Sequence, residues 1–305
     1  MGKDKGFILK YLFFIFVIYV SLFAKLLNYD IKPKDFTSKT INILDAKEFK
    51  SSKKDGLKVT EISDLTYIDR VLYGVSDQGF LYLFNLKIKN KKIKKLVLKK
   101  AFALKTKKGK RFKHKKRDAE GLEHIGKDLL ISFERVPRIA KFSLNGRKIK
   151  DMKIDKKLLD INSYRSPNKA LESLAYSKKY GIITAPELPL RGTDICEHTL
   201  FSQKKGRFEF NACGSITALE FIDKDNIMVL LRDYSYVTGR LVITLLSMDL
   251  NSAKSKILLK MDSKKGWNID NFEGLTKISN NLYLIVSDDN DSIFQKTLFV
   301  LFELI

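Results

Sequence analysis

The chain has 305 residues, and 58 lysines and arginines against 35 aspartates and glutamates leave a net charge of +23. All-β propellers and barrels reach this length as one unit, so length does not require a second domain. The lysines are spread over nearly every expected turn without the aromatic interleaving that stacks bases, which argues against nucleic acid as a partner.

The opening Met1-Gly-Lys-Asp-Lys is net basic, and residues 11–24 are apolar or aromatic apart from Ser21, the pattern of an export signal. This run falls short of the ~20 residues of a comfortable membrane span. Leu26 and Leu27 extend it if Lys10 and Lys25 snorkel. Leu22 stands where signal cleavage wants a small residue, which favours an uncleaved anchor over cleavage after Ala24. Positive charge ahead of the apolar run keeps the N-terminus cytoplasmic, so the rest is expected on the periplasmic or extracellular face, membrane-attached by that helix or released. The expected divisions are residues 1–28 as anchor or signal peptide, 29–40 as linker and 41–305 as one β domain.

Beyond the linker, short β-branched and aromatic runs alternate with Gly, Asn, Asp and Lys turns. Four segments align: ISDLTYIDRVLYGVSDQG from residue 62, AEGLEHIGKDLLISFER from 119, ITALEFIDKDNIMVLLRD from 216 and FEGLTKISNNLYLIVSDD from 272. A fifth, ALESLAYSKKYGIITAPE from 170, fits the same frame. Their anchoring leucines, Leu65, Leu122, Leu174, Leu219 and Leu275, recur every 45 to 57 residues, the spacing of four-stranded propeller blades. The pattern predicts an all-β, five-bladed β-propeller, with six blades, a solenoid or a two-sheet sandwich as alternatives. The last repeat supplies three strands and residues 41–49 form an orphan strand, so the orphan is expected to complete the last blade.

In such a blade the start of the first strand and the end of the second share one rim. Two residues before the leucines stand Ser63, Glu120, Glu172, Thr217 and Glu273, and twelve or thirteen after them stand Asp77, Glu134, Glu187, Arg232 and Asp288. The carboxylates Asp77, Glu120, Glu134, Glu172, Glu187, Glu273 and Asp288 are therefore candidate ligands of a hard cation such as Ca²⁺, because oxygen donors without a His or Cys cluster disfavour zinc. Strand capping between blades is the structural alternative for these acids. Glu134, Arg135, Arg138 and Arg232 are the candidate catalytic residues, the three arginines also holding an anionic substrate. The basic residues 105–117 are expected to rise over the same rim, either as a second anion contact or as a solvated loop.

No Gly-x-Ser-x-Gly elbow and no Gly-rich phosphate loop is present, and His114, His124 and His198 show no ligand spacing. Cys196 and Cys213 flank an expected hairpin; a turn centred on Lys204-Lys205 would set them directly opposite, favouring a disulfide over two free thiols.

The ordered series Ser-Asp-Leu, Glu-Gly-Leu, Ser-Phe-Glu-Arg-x-Pro-Arg-Ile, Glu-Ser-Leu and Glu-Gly-Leu followed by Ser-Asp-Asp resembles the phytase-like family, described as having an esterase-like activity of phytase. The resemblance spans roughly residues 59–289 and departs from the pattern at Thr217, Arg232 and Ala185-Pro186-Glu187. It implies a propeller acting on phosphate or carboxylic esters through a calcium-dependent acidic site. The expected partner is an anionic small-molecule ester or phosphate; a non-catalytic envelope ligand-binding propeller is the alternative.

Overall fold

A computed structural model describes residues 25–50, 53–54 and 57–305. The expected export segment up to residue 24 lies outside them. Five antiparallel sheets follow one another around an axis: four have four strands and the fifth has five. Their innermost strands are Ile62–Ile68, Ala119–Ile125, Leu171–Ser177, Ser215–Phe221 and Phe272–Ser279. Each touches the next and the last touches the first, so the ring of five blades is closed.

Packing explains why a single chain makes five sheets. The apolar core is divided into five wedges, each between neighbouring blades; one joins Ile131 and Phe142 to Val75 and Leu81, another joins Ile216 and Val229 to Ile183 and Leu200. Leu65, Leu122, Leu174, Leu219 and Leu275 are all buried in these wedges.

Closure is by the chain ends. Ile41–Lys50 pairs antiparallel with Leu298–Leu304, Ile41 opposite Leu304 and Glu48 opposite Leu298. Lys25–Asn28 then adds a fifth, outer strand against residues 47–50 of that strand. These four residues fall at the end of the expected apolar segment, yet they cover the edge of the closing blade.

Each inner strand carries a β-bulge near its start. The register slips between Ile62 and Asp64, Leu171 and Ser173, Ile216 and Ala218, and Phe272 and Gly274, leaving Ser63, Glu172, Thr217 and Glu273 unpaired. In the second blade, Glu120 and Gly121 face the single residue Ser132. A bulge re-aims its side chain, here at the residue two before each leucine. Gly121 and Gly274 follow their bulged residues because a Cβ would stand 2.7 Å from the Glu172 carbonyl oxygen and 2.8 Å from the Asp64 Cα respectively.

Asp64 occupies the equivalent position in the first blade and fastens three inner strands together. Its Oδ1 accepts from the backbone N–H of Leu65 at 2.8 Å and of Leu275 at 3.0 Å, and its Oδ2 from that of Leu122 at 2.7 Å. Burial pushes this carboxyl well above its ordinary pKa even though the three donors favour the charged form.

Cys196 and Cys213 form a disulfide with Cα atoms 4.4 Å apart. The expected register is off by one: Ser202 pairs with Gly206 and Glu197 with Asn211, so the hairpin centres on Lys204 and Cys196 faces Ala212 rather than Cys213. Cys213 lies past the paired strand, where the chain turns at Gly214 (φ 115°) and brings the sulfurs together.

Asp64→Ala leaves three buried N–H groups without acceptors and is expected to cost about 3 kcal/mol or more, whereas Asp64→Asn, which keeps one oxygen, costs less. Urea denaturation of both variants measures this; wild-type stability in Asp64→Ala would show that the clamp is dispensable.

Candidate functional site at the axial opening

The second strand of each blade runs back to the bulged end of the first, so the residues after it meet the bulged residues at one rim. Glu120, Glu134, Glu172, Glu187, Glu273 and Asp288 are buried there, and Asp77 is half-buried beside them. Two triads form among them. Asp118, Glu120 and Glu134 bring carboxylate oxygens within 4.8 Å of one another, and so do Glu134, Glu172 and Glu187. Glu134 belongs to both. Asp77, Glu273 and Asp288, expected as further metal ligands, stand outside these triads.

Backbone bonds hold the rim together within and between blades. Glu134 N–H donates to the Asp118 carbonyl at 3.0 Å, Glu187 N–H to the Ala170 carbonyl at 2.8 Å, and Ile216 N–H to the Glu187 carbonyl at 2.8 Å. Glu134 Oε1 accepts from Ala170 N–H at 3.2 Å.

Arg232 is the principal countercharge. Its Nη1 binds Glu273 Oε1 and Asn271 Oδ1, and its Nη2 reaches Glu187 Oε1 at 3.1 Å. Lys169 Nζ meets the same Glu187 oxygen at 2.8 Å. Burial alone would lower the Arg232 pKa, but Glu273, Glu187 and Glu172 push it upward.

Asp77, Glu120, Glu134, Glu172 and Asp288 have no such ion pair among the described residues. Burial, with Glu61, Asp118 and Glu273 nearby, pushes Asp77 up to about 7. Burial and the neighbouring Asp118 raise Glu134 to about 8. Glu120, Glu172 and Asp288 are raised well above the carboxylate range, first by burial and then by each other's neighbourhood of acids. Around neutral pH Asp77 is divided between its two forms, and the other four are largely protonated. Asp77 Oδ1 is buried with no hydrogen-bond partner among the described residues. An all-oxygen set with an orphaned acceptor fits a hard cation of the calcium type.

Arg135 stays at the mouth, where its Nε donates to Asp118 Oδ2 at 2.6 Å. Arg138 does not join the ring. Its guanidinium lies 3.7 Å from the centroid of Phe133, stacks also near Phe112, and donates to the carbonyls of Val136 and Lys116. Burial lowers it to about 10. The basic loop divides: Lys107, Lys110 and Lys113 line a cavity of about 880 Å³ with Arg138 and Met152, away from the carboxylate ring, while at its end Arg117 donates to Gln78 Oε1 at 2.6 Å and stands with His114 near Asp118.

Asp118, Asn271, Lys169 and Asp64 belong to the site or its frame although the repeat did not single them out. Glu61, Asp118 and Asn271 stand two residues before the bulged Ser63, Glu120 and Glu273, so a third repeated polar position was present in the sequence. Lys169, five residues before Leu174, has a basic counterpart only in Arg117, five before Leu122.

Above Arg232, Asn271 and Glu273 opens a cavity of about 930 Å³. Residues 57–291 match the family model described as phytase-like, esterase-like activity of phytase. No curated protein matches the sequence. Among solved structures, the crystal structure of Myxococcus xanthus glutaminyl cyclase is similar with a TM-score of 0.48 and 10% identity, over 87% of this chain and 97% of that one. A chain of the mitotic checkpoint complex is similar with a TM-score of 0.37 and 10% identity, over 84% of this chain and 68% of that one.

An acid whose pKa is raised by folding binds protons more tightly folded than unfolded, so its contribution is full below the unfolded value near ~4 and is lost as pH climbs through the folded value. For Glu134 that loss begins above ~4 and is nearly complete once the pH has passed about 8. In chelator, Glu134→Gln is therefore expected to gain stability relative to wild type between about pH 5 and about pH 9. Thermal melts across that range decide it; a constant difference would show that Glu134 titrates normally.

Proposed function

The chain belongs to the phytase-like family, and from that premise we propose that it is a metal-assisted hydrolase of phosphoric or carboxylic esters working at the axial opening. The observation that carries this is the pair of carboxylate triads sharing Glu134, beside carboxyls held near neutrality and linked through Glu187 to Arg232 and Lys169 in the wall of an open cavity.

Asp118, Glu120, Glu134, Glu172 and Glu187 would hold the cation. Bound Ca²⁺ supplies Lewis-acid polarisation of the ester oxygen and lowers the charge repulsion among its ligands. The chain's own groups do the rest. Asp77, outside both triads and poised at about 7, accepts the proton of the attacking water. The water oxygen bonds to phosphorus or the acyl carbon as the ester C–O or P–O bond breaks. Asp288, held neutral by burial and by Glu273, returns a proton to the departing alcohol oxygen. Arg135 at the mouth and Lys169 and Arg232 in the cavity wall orient the anionic head. Arg138, bound to aromatic rings and carbonyls, has no part in this. Attachment of the N-terminal segment to a membrane would set the enzyme on the outer side, facing envelope esters.

Full-length protein assayed on p-nitrophenyl phosphate, phytate and short acyl esters, with calcium or with chelator, tests the proposal. Calcium-dependent turnover is expected, with kcat falling at least about 100-fold in Glu134→Gln or Asp77→Asn. Absence of turnover on every ester in both conditions would instead favour a ligand-binding propeller, the role that the neutralisation of Glu187 and Glu273 by Arg232 could equally serve.

A further inference from the structure

Large apolar side chains in full contact with water are unusual when they gather in one place. Among the described residues eleven are exposed, and six of these surround the axial cavity. Ile195, Tyr234, Tyr236 and Phe294 line it, and Val237 and Ile293 adjoin the last two in sequence. Tyr236 is 90% exposed, Val237 96%, Ile293 92% and Phe294 86%.

Two anchored loops present all of them but Ile195, which precedes the strand Glu197–Ser202. The first is the tip between Asn226–Ser235 and Arg240–Asp249, closed by Gly239 N–H to the Ser235 carbonyl at 2.8 Å. Arg240 fixes its base through Asp262, with contacts from 2.6 to 3.2 Å. Tyr234 and Tyr236 meet edge to face with centroids 5.0 Å apart. The second loop follows Leu282–Ser287. Asp289 ties it to Thr60 at 2.8 Å and to Thr297 at 2.9 Å, and Asn290 binds Gln295 at 2.9 Å.

The polar part of the cavity is similar in extent but poor in cations. Only two cationic side chains line it, Lys169 and Arg232, and both already face carboxylates. A polyanion would have to desolvate several charges against an apolar wall with few partners. One anionic head at the axis and one apolar group against the lip match the surface far better.

We infer that this site takes an amphiphilic ester, in which a single anionic head reaches the axis and an aryl or alkyl group lies against Tyr234, Tyr236 and Phe294. This rests on the hydrolase reading for the word ester; the amphiphile itself rests on the lip alone.

The test uses full-length wild type and the double variant Tyr236→Ser/Phe294→Ser, both changes at exposed positions. Substrates are 1-naphthyl phosphate and glycerol 2-phosphate, with 8-anilinonaphthalene-1-sulfonate fluorescence as a binding readout independent of turnover. The expected result is that the variant raises the ratio of KM for naphthyl to glycerol phosphate about tenfold or more, and weakens dye binding similarly. An unchanged ratio with unchanged dye affinity overturns the inference while leaving hydrolysis standing. Lip-dependent dye binding without turnover of either ester supports the amphiphile site and removes the hydrolase reading. Equal loss of binding to neutral lipid vesicles, with the dye and both KM values unaffected, makes the lip a membrane contact and overturns the inference.

Discussion

Carboxyl groups buried side by side around a narrow axis cannot all carry charge, and the acidic end of this propeller is organised by that repulsion. Three remedies divide the ring. Arg232 and Lys169 neutralise Glu187 and Glu273 on one side. Asp77, Glu134 and their neighbours take the second remedy and rise toward neutrality as acids. The third is a cation, for which the triads sharing Glu134 offer closely spaced oxygens.

Such crowding persists only on a stiff frame. The five bulges turn one side chain per blade toward the axis, and the ladders on either side of each bulge hold that direction. Asp64 binds the first, second and fifth inner strands through backbone N–H groups. Ser132 does related work between the second and third blades, accepting from Gly121 N–H at 2.6 Å and donating to the Glu172 carbonyl at 2.7 Å. Blade closure by Ile41–Lys50 prevents the ring from opening. The functional acids are thus carried by the most constrained strands, while the apolar lip sits on loops above them.

The blades and the carboxylate ring were legible in the sequence because both recur: a leucine every 45 to 57 residues marks each wedge, and acids at fixed offsets from it mark seven of the ten rim positions. What did not recur was hidden. Asp64 stands where two other repeats have glycine, and nothing local reveals that its oxygens reach Leu122 and Leu275. Arg138 looked like a site arginine because it follows Glu134 closely, but Phe112, which draws it outward, lies on a distant loop. Leu26 and Leu27 read as the end of an apolar segment although they pair with Phe49 and Glu48 in the closing blade. Tyr236 and Phe294 carry the same apolar signature as strand residues, so only three dimensions separate lip from core. The one-residue shift in the Cys196 hairpin depends on turn geometry that composition does not specify.

The central claim is that the axial carboxyls are largely protonated without metal and yield their protons to a hard cation. Calorimetric titration of the full-length protein with calcium near neutral pH, repeated in two buffers of different ionisation enthalpy, measures this directly. The account predicts calcium binding with net proton release that is reduced in Glu134→Gln. Calcium binding without proton release, or no binding at all, would contradict it.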